Sequence, residues 1–205
     1  MQRLLCTRCG DSIHPDTAAR NNGLCMPCVR GNQLTIEQRN EQQLKRREEE
    51  RAYRESPEYR YWHSLVKRVY DEAGGFDALA HGDRLYFLIN VLSGEVHNGG
   101  FDQFFSNSSG DRYAETLAAL SEVGDDATLQ LLREAKNALF GTKDVPPDRA
   151  ARFRQMATSS PDSSQCESAN ELLDGLDGLF HARADEIGAV LSGIASRYRL
   201  YGGST

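Results

Sequence analysis

Two groups of residues have the types and spacing to do chemistry. The first is "CTRCGDSIHPDTAARNNGLCMPC", where Cys6, Cys9, Cys25 and Cys28 stand as Cys-x2-Cys-x15-Cys-x2-Cys. Each short Cys-x-x-Cys turn delivers two thiolates to one tetrahedral ion, and the ion closes the longer loop between the pairs, so the spacing predicts zinc. Nothing in the sequence indicates an oxidising compartment, which favours metal over disulfides. Four thiolates leave no open coordination position, and the expected role is structural. His14 is expected to be a loop residue and Cys166 a spare thiol outside the ligand set. The second group is "EVHNGGFDQFFSNSSGD", Glu95 to Asp111. Glu95, Asp102 and Asp111, with His97 and the nearby His81, are the residue types that acid–base catalysis or a hard cation requires, as in a metal-dependent hydrolase.

The same stretch also reads as structure. Gly99 and Gly100 can supply positive φ, Phe101, Phe104 and Phe105 can anchor a turn, and Asn107, Ser108, Ser109 or Asp111 can cap the next helix, with Gly110 closing the polar turn. Glu95, Asn98, Asp102 and Gln103 can satisfy buried backbone groups. The chain has no phosphate-binding Gly-Lys-Ser/Thr, nucleophile elbow, His-Glu-x-x-His or dinucleotide fingerprint. The structural reading is therefore preferred, and catalysis is the weaker alternative.

The elements around these groups follow from periodicity. Residues 1–31 form the four-cysteine knuckle. Residues 32–56 are dense in helix formers and predict a charged helical spacer, with Thr35 and Gln38 as a capping box and opposite charges four apart at Glu41/Lys45, Arg46/Glu50 and Glu50/Arg54. Its apolar residues form no heptad seam. Residues 57–205 predict an all-α globular domain. Ser56-Pro57 starts a helix with Tyr59, Trp62, Val66, Val69 and Tyr70 inward, and a second helix runs from Asp83 to His97 before the Gly99-Gly100 stop. Further helices are expected over Asp111–Val123, from an Asp125 or Asp126 cap to Leu139, from Pro146-Pro147 to Met156, and beyond a capping box at Ser168 and Glu171 as one long helix or two.

The formal charge of -6 is unevenly distributed. Residues 1–56 carry ten Lys/Arg against eight Asp/Glu, a net of +2, and residues 57–205 carry fourteen against twenty-two, a net of -8. Four thiolates on a dication would add about -2 to the front and bring it near neutrality. Direct nucleic-acid binding is thus not expected, despite Arg3, Arg8, Arg20, Arg30 and the Lys45-Arg46-Arg47 cluster; an acidic domain attracts basic protein surfaces instead. No apolar run approaches the roughly 18–20 residues that span a bilayer, and no signal pattern opens the chain, so the expected location is cytoplasmic.

"EVHNGGFDQFFSNSSGD", followed by an Ala- and Leu-rich helix and a Gly-Asp break, resembles the signature of the bacterial family of DNA mimic protein nineteen, with the resemblance extending over about Pro57 to Tyr201. It implies an all-helical, homodimeric domain whose acidic surface imitates duplex phosphates and occupies the DNA-binding face of a transcription factor. A duplex carries one charge per roughly 1.7 Å of axis, so a domain of this modest charge needs a local stripe. Its candidate members are Asp125, Asp126, Asp174, Asp177, Asp185 and Glu186, with Glu115 and Glu122 beside them. The leading expectation is a non-enzymatic regulatory protein that binds a basic partner. The alternatives are an immunity-type or scaffold protein that neutralises a toxin by shape, and the hydrolase.

Overall fold

A computed structural model describes residues 3–31, 36–159 and 164–201. The chain divides into two compact units, Met1–Tyr59 and Arg60–Thr205, against an expected boundary after residue 56. The expected Thr35–Gln38 capping box involves Thr35, which lies outside the described residues.

In the first unit an antiparallel pair, β1 (Leu4–Leu5) and β2 (Ser12–Ile13), aligns Leu4 with Ile13. Gly10 turns the chain between the strands at φ 75°. The short helices α1 (Pro15–Arg20) and α2 (Met26–Arg30) follow, each with proline in its first turn. His14 is the N-cap of α1, its Nδ1 accepting from the Asp16 N–H at 3.3 Å, a more specific place than a loop. Cys25 caps α2 through Sγ, and Gly31 ends that helix in the left-handed region. The interior is small: Cys6, Ile13, Ala18, Cys25 and Cys28 are buried. The charged helix α3 spans Ile36–Arg54. Its Arg39 Nη1 donates to both carboxylate oxygens of Asp11, at 2.9 and 2.8 Å, tying the helix to the turn between the strands. Farther along, Glu50 and Arg54 pair at 2.6 Å, an exposed contact of small energetic value.

Helix α4 (Pro57–Asp71) begins in the last residues of the first unit, with the Tyr59 N–H donating to Ser56 Oγ at 3.1 Å as the Ser-Pro start predicts, and the rest of it belongs to the second unit. Its inward face is shifted from the expected one: Trp62 and Val69 pack against the core as expected, joined by fully buried Leu65 and by Tyr61, whereas Tyr70 is 67% exposed. The cause is polar: Asp83, buried at the start of α5, accepts from the Tyr61 hydroxyl at 2.6 Å and from Arg68 Nη2 at 2.7 Å, which sets the helix's rotation. Burial and that carboxylate both push the Tyr61 phenol up.

Helix α5 (His81–Ser106) runs through the middle and packs against α6 (Tyr113–Val123), α7 (Asp126–Phe140), α8 (Arg149–Gln155), α9 (Ser164–His181) and α10 (Ala184–Tyr198). Leu85, Leu88, Ile89, Leu92 and Val96 line its core face, as their spacing predicts. The Gly99-Gly100 pair breaks the helical geometry where the stop is expected, and a second helical piece continues directly beyond it. Gly100 alone has positive φ, at 76°, and Gly99 has φ -159°; helix resumes through Phe101, Phe104 and Phe105, all buried.

Three later boundaries shift. Helix α8 starts at Arg149 under an Asp148 cap and not at the Pro-Pro pair, because Asp148 Oδ1 takes the Ala151 N–H at 2.7 Å. Helix α9 begins at Ser164, so Ser168 lies inside it and its hydroxyl donates back to Ser164 O in place of capping. The last region is two helices, broken after His181. Among the described residues no strand follows Ile13, and the second unit is all-α.

Candidate functional site

The four knuckle cysteines come together. Their sulfurs all lie within 4.8 Å of one another, with Cys6–Cys28 at 3.5 Å and Cys9–Cys25 at 3.6 Å. An ion–sulfur distance of about 2.3 Å in a tetrahedron sets sulfurs roughly 3.8 Å apart, so the cluster fits one tetrahedral ion. Backbone N–H groups point at the same sulfurs: Cys25 N to Cys6 Sγ at 3.2 Å, Cys28 N to Cys25 Sγ at 3.4 Å and Asp11 N to Cys9 Sγ at 3.5 Å. These donors favour thiolates. Burial and the adjoining sulfurs push the Cys28 thiol up; at Cys6 burial also raises it, but the N–H groups of Cys25, Arg8 and Cys9 prevail and bring it down to about 6. Four crowded thiols oppose one another's ionisation, and a cation relieves the opposition. The cluster can hold a metal ion.

The Glu95–Asp111 stretch is built around two charged side chains, one from inside the motif and one from outside it. Glu95 accepts from Gln103 Nε2 at 2.6 Å and Asn107 Nδ2 at 3.0 Å, and its Oε1 lies 2.9 Å from Ser109 Oγ. That hydroxyl also lies 3.0 Å from Phe104 O, its single hydrogen shared. Asn98 Nδ2 donates to Gln103 Oε1 at 3.1 Å and completes the chain of contacts. Glu95 thus staples the last full turn before the kink to the turn beyond it.

The second organiser is Arg152 on α8, fully buried. Its Nε donates to Phe105 O at 2.8 Å, Nη2 to Asn107 O at 2.7 Å, and Nη1 to the carbonyls of Pro146 and Pro147 at 3.0 Å each. Asp111 Oδ1 neutralises it at 2.6 Å. The guanidinium fork therefore satisfies the carbonyls left open where α5 ends, a task the sequence reading gave to motif residues. Arg149 assists, its Nε donating to Ser106 O at 2.8 Å. Gly110 is glycine because of this close approach: a Cβ there would stand 2.8 Å from Arg152 Nε and 3.0 Å from Phe105 O. No periodicity marks an arginine in a short helix as buried, and the sequence reading missed it.

These contacts revise the expected capping. Ser108 is exposed at the start of the 3-10 turn Ser108–Arg112, and α6 follows with Arg112 at its N-cap and no side-chain cap bond. Asp111 and Ser109 are engaged with Arg152 and Glu95, so neither caps α6. Asp102 Oδ2 accepts from Thr158 Oγ1 at 2.6 Å. Glu95, Asp102 and Asp111 thus point to three different partners. Among the described residues, the cysteines form the one group of three or more His, Cys, Asp or Glu side chains close enough to hold a metal. His97 Nδ1 contacts Ser93 O at 2.8 Å, and His81 pairs with Glu122 at 2.7 Å. Beneath the motif turn lies a cavity of about 220 Å³, walled by Phe76, Phe87, Val91 and Phe104 with Asp111 and Arg112 at its polar side.

The acidic candidates separate into two sets. Asp125 is 5% exposed; its Oδ1 accepts from the Thr128 N–H at 3.1 Å and from Arg183 Nη2 at 2.8 Å. Asp177 is half-buried against the kink, its Oδ1 accepting from the Phe101 N–H at 2.9 Å, and burial raises its carboxyl above the usual range. A Cβ on Gly100 would collide with that carboxylate at 2.1 Å. Buried Asp125 is thereby removed from any exposed stripe, and half-buried Asp177 is tied to the kink. Asp126, Asp174, Asp185 and Glu186 are exposed. Asp126 begins α7, and Asp185 and Glu186 lie in the first turn of α10, where the helix dipole favours them. Glu115 and Glu122 are exposed but paired with Arg112 and His81.

The family model described as DMP19-like protein matches residues 77–196, more than half of the 205 residues. The chain belongs to that family. The match begins just before α5 and covers the kink, the Glu95 staple, Arg152 and most of α10. Comparison with curated proteins and with solved structures returned no match. No helix among the described residues is long and apolar enough to cross a membrane.

Arg152 generates the sharpest prediction. Arg152→Ala leaves four carbonyls without their donor and is expected to cost on the order of 1–3 kcal/mol, the penalty for leaving a buried acceptor unsatisfied, with the half-exposed Asp111 adding little. Arg152→Lys keeps the charge but not the fork and should recover less than half of the loss. Urea unfolding followed by far-ultraviolet circular dichroism measures both.

Proposed function

We propose that this chain is a non-enzymatic regulatory binding protein whose acidic helical domain engages a basic protein partner, occupying the DNA-binding face of a transcription factor by imitating duplex phosphates. The observation that carries the reading is family membership over residues 77–196. The surface chemistry agrees with it: Asp126, Asp174, Asp185 and Glu186 remain exposed on a domain of net charge -8, while the polar residues of the motif are occupied within the fold. The dispersed Glu95, Asp102 and Asp111 give a hydrolase no convergent acid–base pair.

The knuckle, in this reading, is a structural zinc site. Zinc would stabilise the first unit by closing the loop between the two Cys-x-x-Cys turns, and the small core of that unit makes such a staple necessary. Zinc content of the purified protein by inductively coupled plasma mass spectrometry should approach one ion per chain. Chelation should then unfold the first unit, seen by amide exchange over residues 4–30, and leave the second unit protected. Loss of the metal with no change in exchange would contradict a structural site.

Partner binding is tested by low-salt capture from lysate of the source organism and elution in a salt gradient. The wild type is expected to retain a DNA-binding protein that salt releases, with a steep dependence on ionic strength. The combined variant Asp126→Lys, Asp174→Lys, Asp185→Lys, Glu186→Lys should lose it. Retention insensitive to salt and shared equally by the variant would refute the phosphate imitation.

A further inference from the structure

A groove on the second unit lies between α7 and α9, about 540 Å³ in volume and lined by Ala138, Leu172, Gly175, Leu176 and Leu179 with Glu134, Asn137 and Glu171 at its edges. Two of the leucines are exposed, Leu172 at 59% and Leu179 at 58%, seven residues apart on the same side of α9. Between them Gly175 lines the groove, and a Cβ there would meet nothing within 4 Å, so the floor is open to a side chain from outside.

Charge identifies the occupant. Among the described residues the groove's lining contains Glu134 and Glu171 but no lysine or arginine, with exposed Asp174 adjacent on α9; the neighbouring cations on α7, Arg133 and Lys136, lie outside the lining, and Lys136 Nζ donates to Gly141 O at 3.0 Å. A second copy seated face to face would set these acids against their own counterparts with no cation in the lining to offset them. A helix with leucine-like side chains at i, i+3 or i+4 and i+7, and lysine or arginine on its flanks, matches both the apolar floor and the acidic rim. We infer that the α7–α9 groove is the docking site for a basic amphipathic helix of the partner protein. This rests on the reading of the acidic domain as a binding module and adds to it a shape-selective apolar seat.

The test uses the full zinc-loaded chain and a fluorescein-labelled synthetic peptide of about 18 residues, five helical turns, with leucines at helical spacing and lysines elsewhere. A scrambled peptide of identical composition is the control. In fluorescence anisotropy the patterned peptide should bind at least about tenfold more tightly than the scrambled one, a difference of about 1.4 kcal/mol. Leu172→Ser/Leu179→Ser and, separately, Gly175→Trp should each abolish that preference. Both alter exposed positions, and an unchanged unfolding midpoint verifies that they fold. Equal binding of the two peptides, or leucine variants that bind like the wild type, would overturn the inference. The three-site variant Asp126→Lys, Asp185→Lys, Glu186→Lys spares the groove's surroundings: if it loses the peptide while the leucine variants bind normally, the groove fails and the acidic-surface reading stands. If the leucine variants lose the peptide while the three-site variant keeps it, the groove stands independently of the phosphate imitation, which the salt-released partner tests. Sedimentation showing a wild-type dimer that Leu172→Ser/Leu179→Ser converts to monomer would assign the groove to a second copy and overturn the helix partner.

Discussion

A bent central helix creates a shortage of hydrogen bonds, and much of the second unit is arranged to make it good. Gly99 and Gly100 break the regular geometry of α5, and at its C-terminus Phe105 and Asn107 carry carbonyls that no following helical turn satisfies. Arg152 reaches in from α8, fully buried, and donates to Phe105, Asn107, Pro146 and Pro147 at once. A buried guanidinium carries a large desolvation cost, which the carbonyls and the Asp111 carboxylate offset together. On the other side of the kink, Asp177 from α9 takes the Phe101 N–H. The aromatic anchors Phe101, Phe104 and Phe105 then pack at fixed depth. Glu95 stitches the two arms of the bend with side-chain donors from Gln103 and Asn107.

This arrangement explains why a stretch so rich in carboxylates and amides has little chemistry left to offer. Each polar group that resembles a catalytic residue is engaged with a named neighbour, and the neighbours differ. The exposed charge lies elsewhere, at the first turns of α7 and α10 and along α9. The first unit solves a separate problem by other means. Its handful of buried residues is too small a core for apolar burial to dominate, and four convergent sulfurs with the Asp11–Arg39 tie supply the closure.

The local signals were legible in the sequence. Paired Cys-x-x-Cys turns brought the thiols together as their spacing implied, the apolar period of α5 marked its buried face, and Ser56 and Asp125 capped the helices they precede. What the sequence hid was set by contacts between distant segments. The register of Ser168 suggested a helix start, but the helix had begun a turn earlier at Ser164. Tyr70 fitted the apolar face of α4 until the buried Asp83, binding Tyr61 and Arg68, turned that helix another way. Asp125 and Asp177 looked like surface charges because one helix's pattern carries no record of Arg183 or of the Phe101 N–H approaching from elsewhere. Arg152 had no local signature at all.

The polar residues of the motif maintain the fold, and the binding surface proposed above lies apart from them. Glu95→Gln tests this directly, since it keeps the shape of the side chain but replaces an acceptor oxygen facing Gln103 and Asn107 with a donor. The decisive measurement is the variant's urea midpoint alongside the salt concentration at which it releases the captured partner. The expected result is a lower midpoint and an unchanged release point. A variant as stable as the wild type that has lost its partner, or a hydrolytic activity that disappears with Glu95, would contradict it.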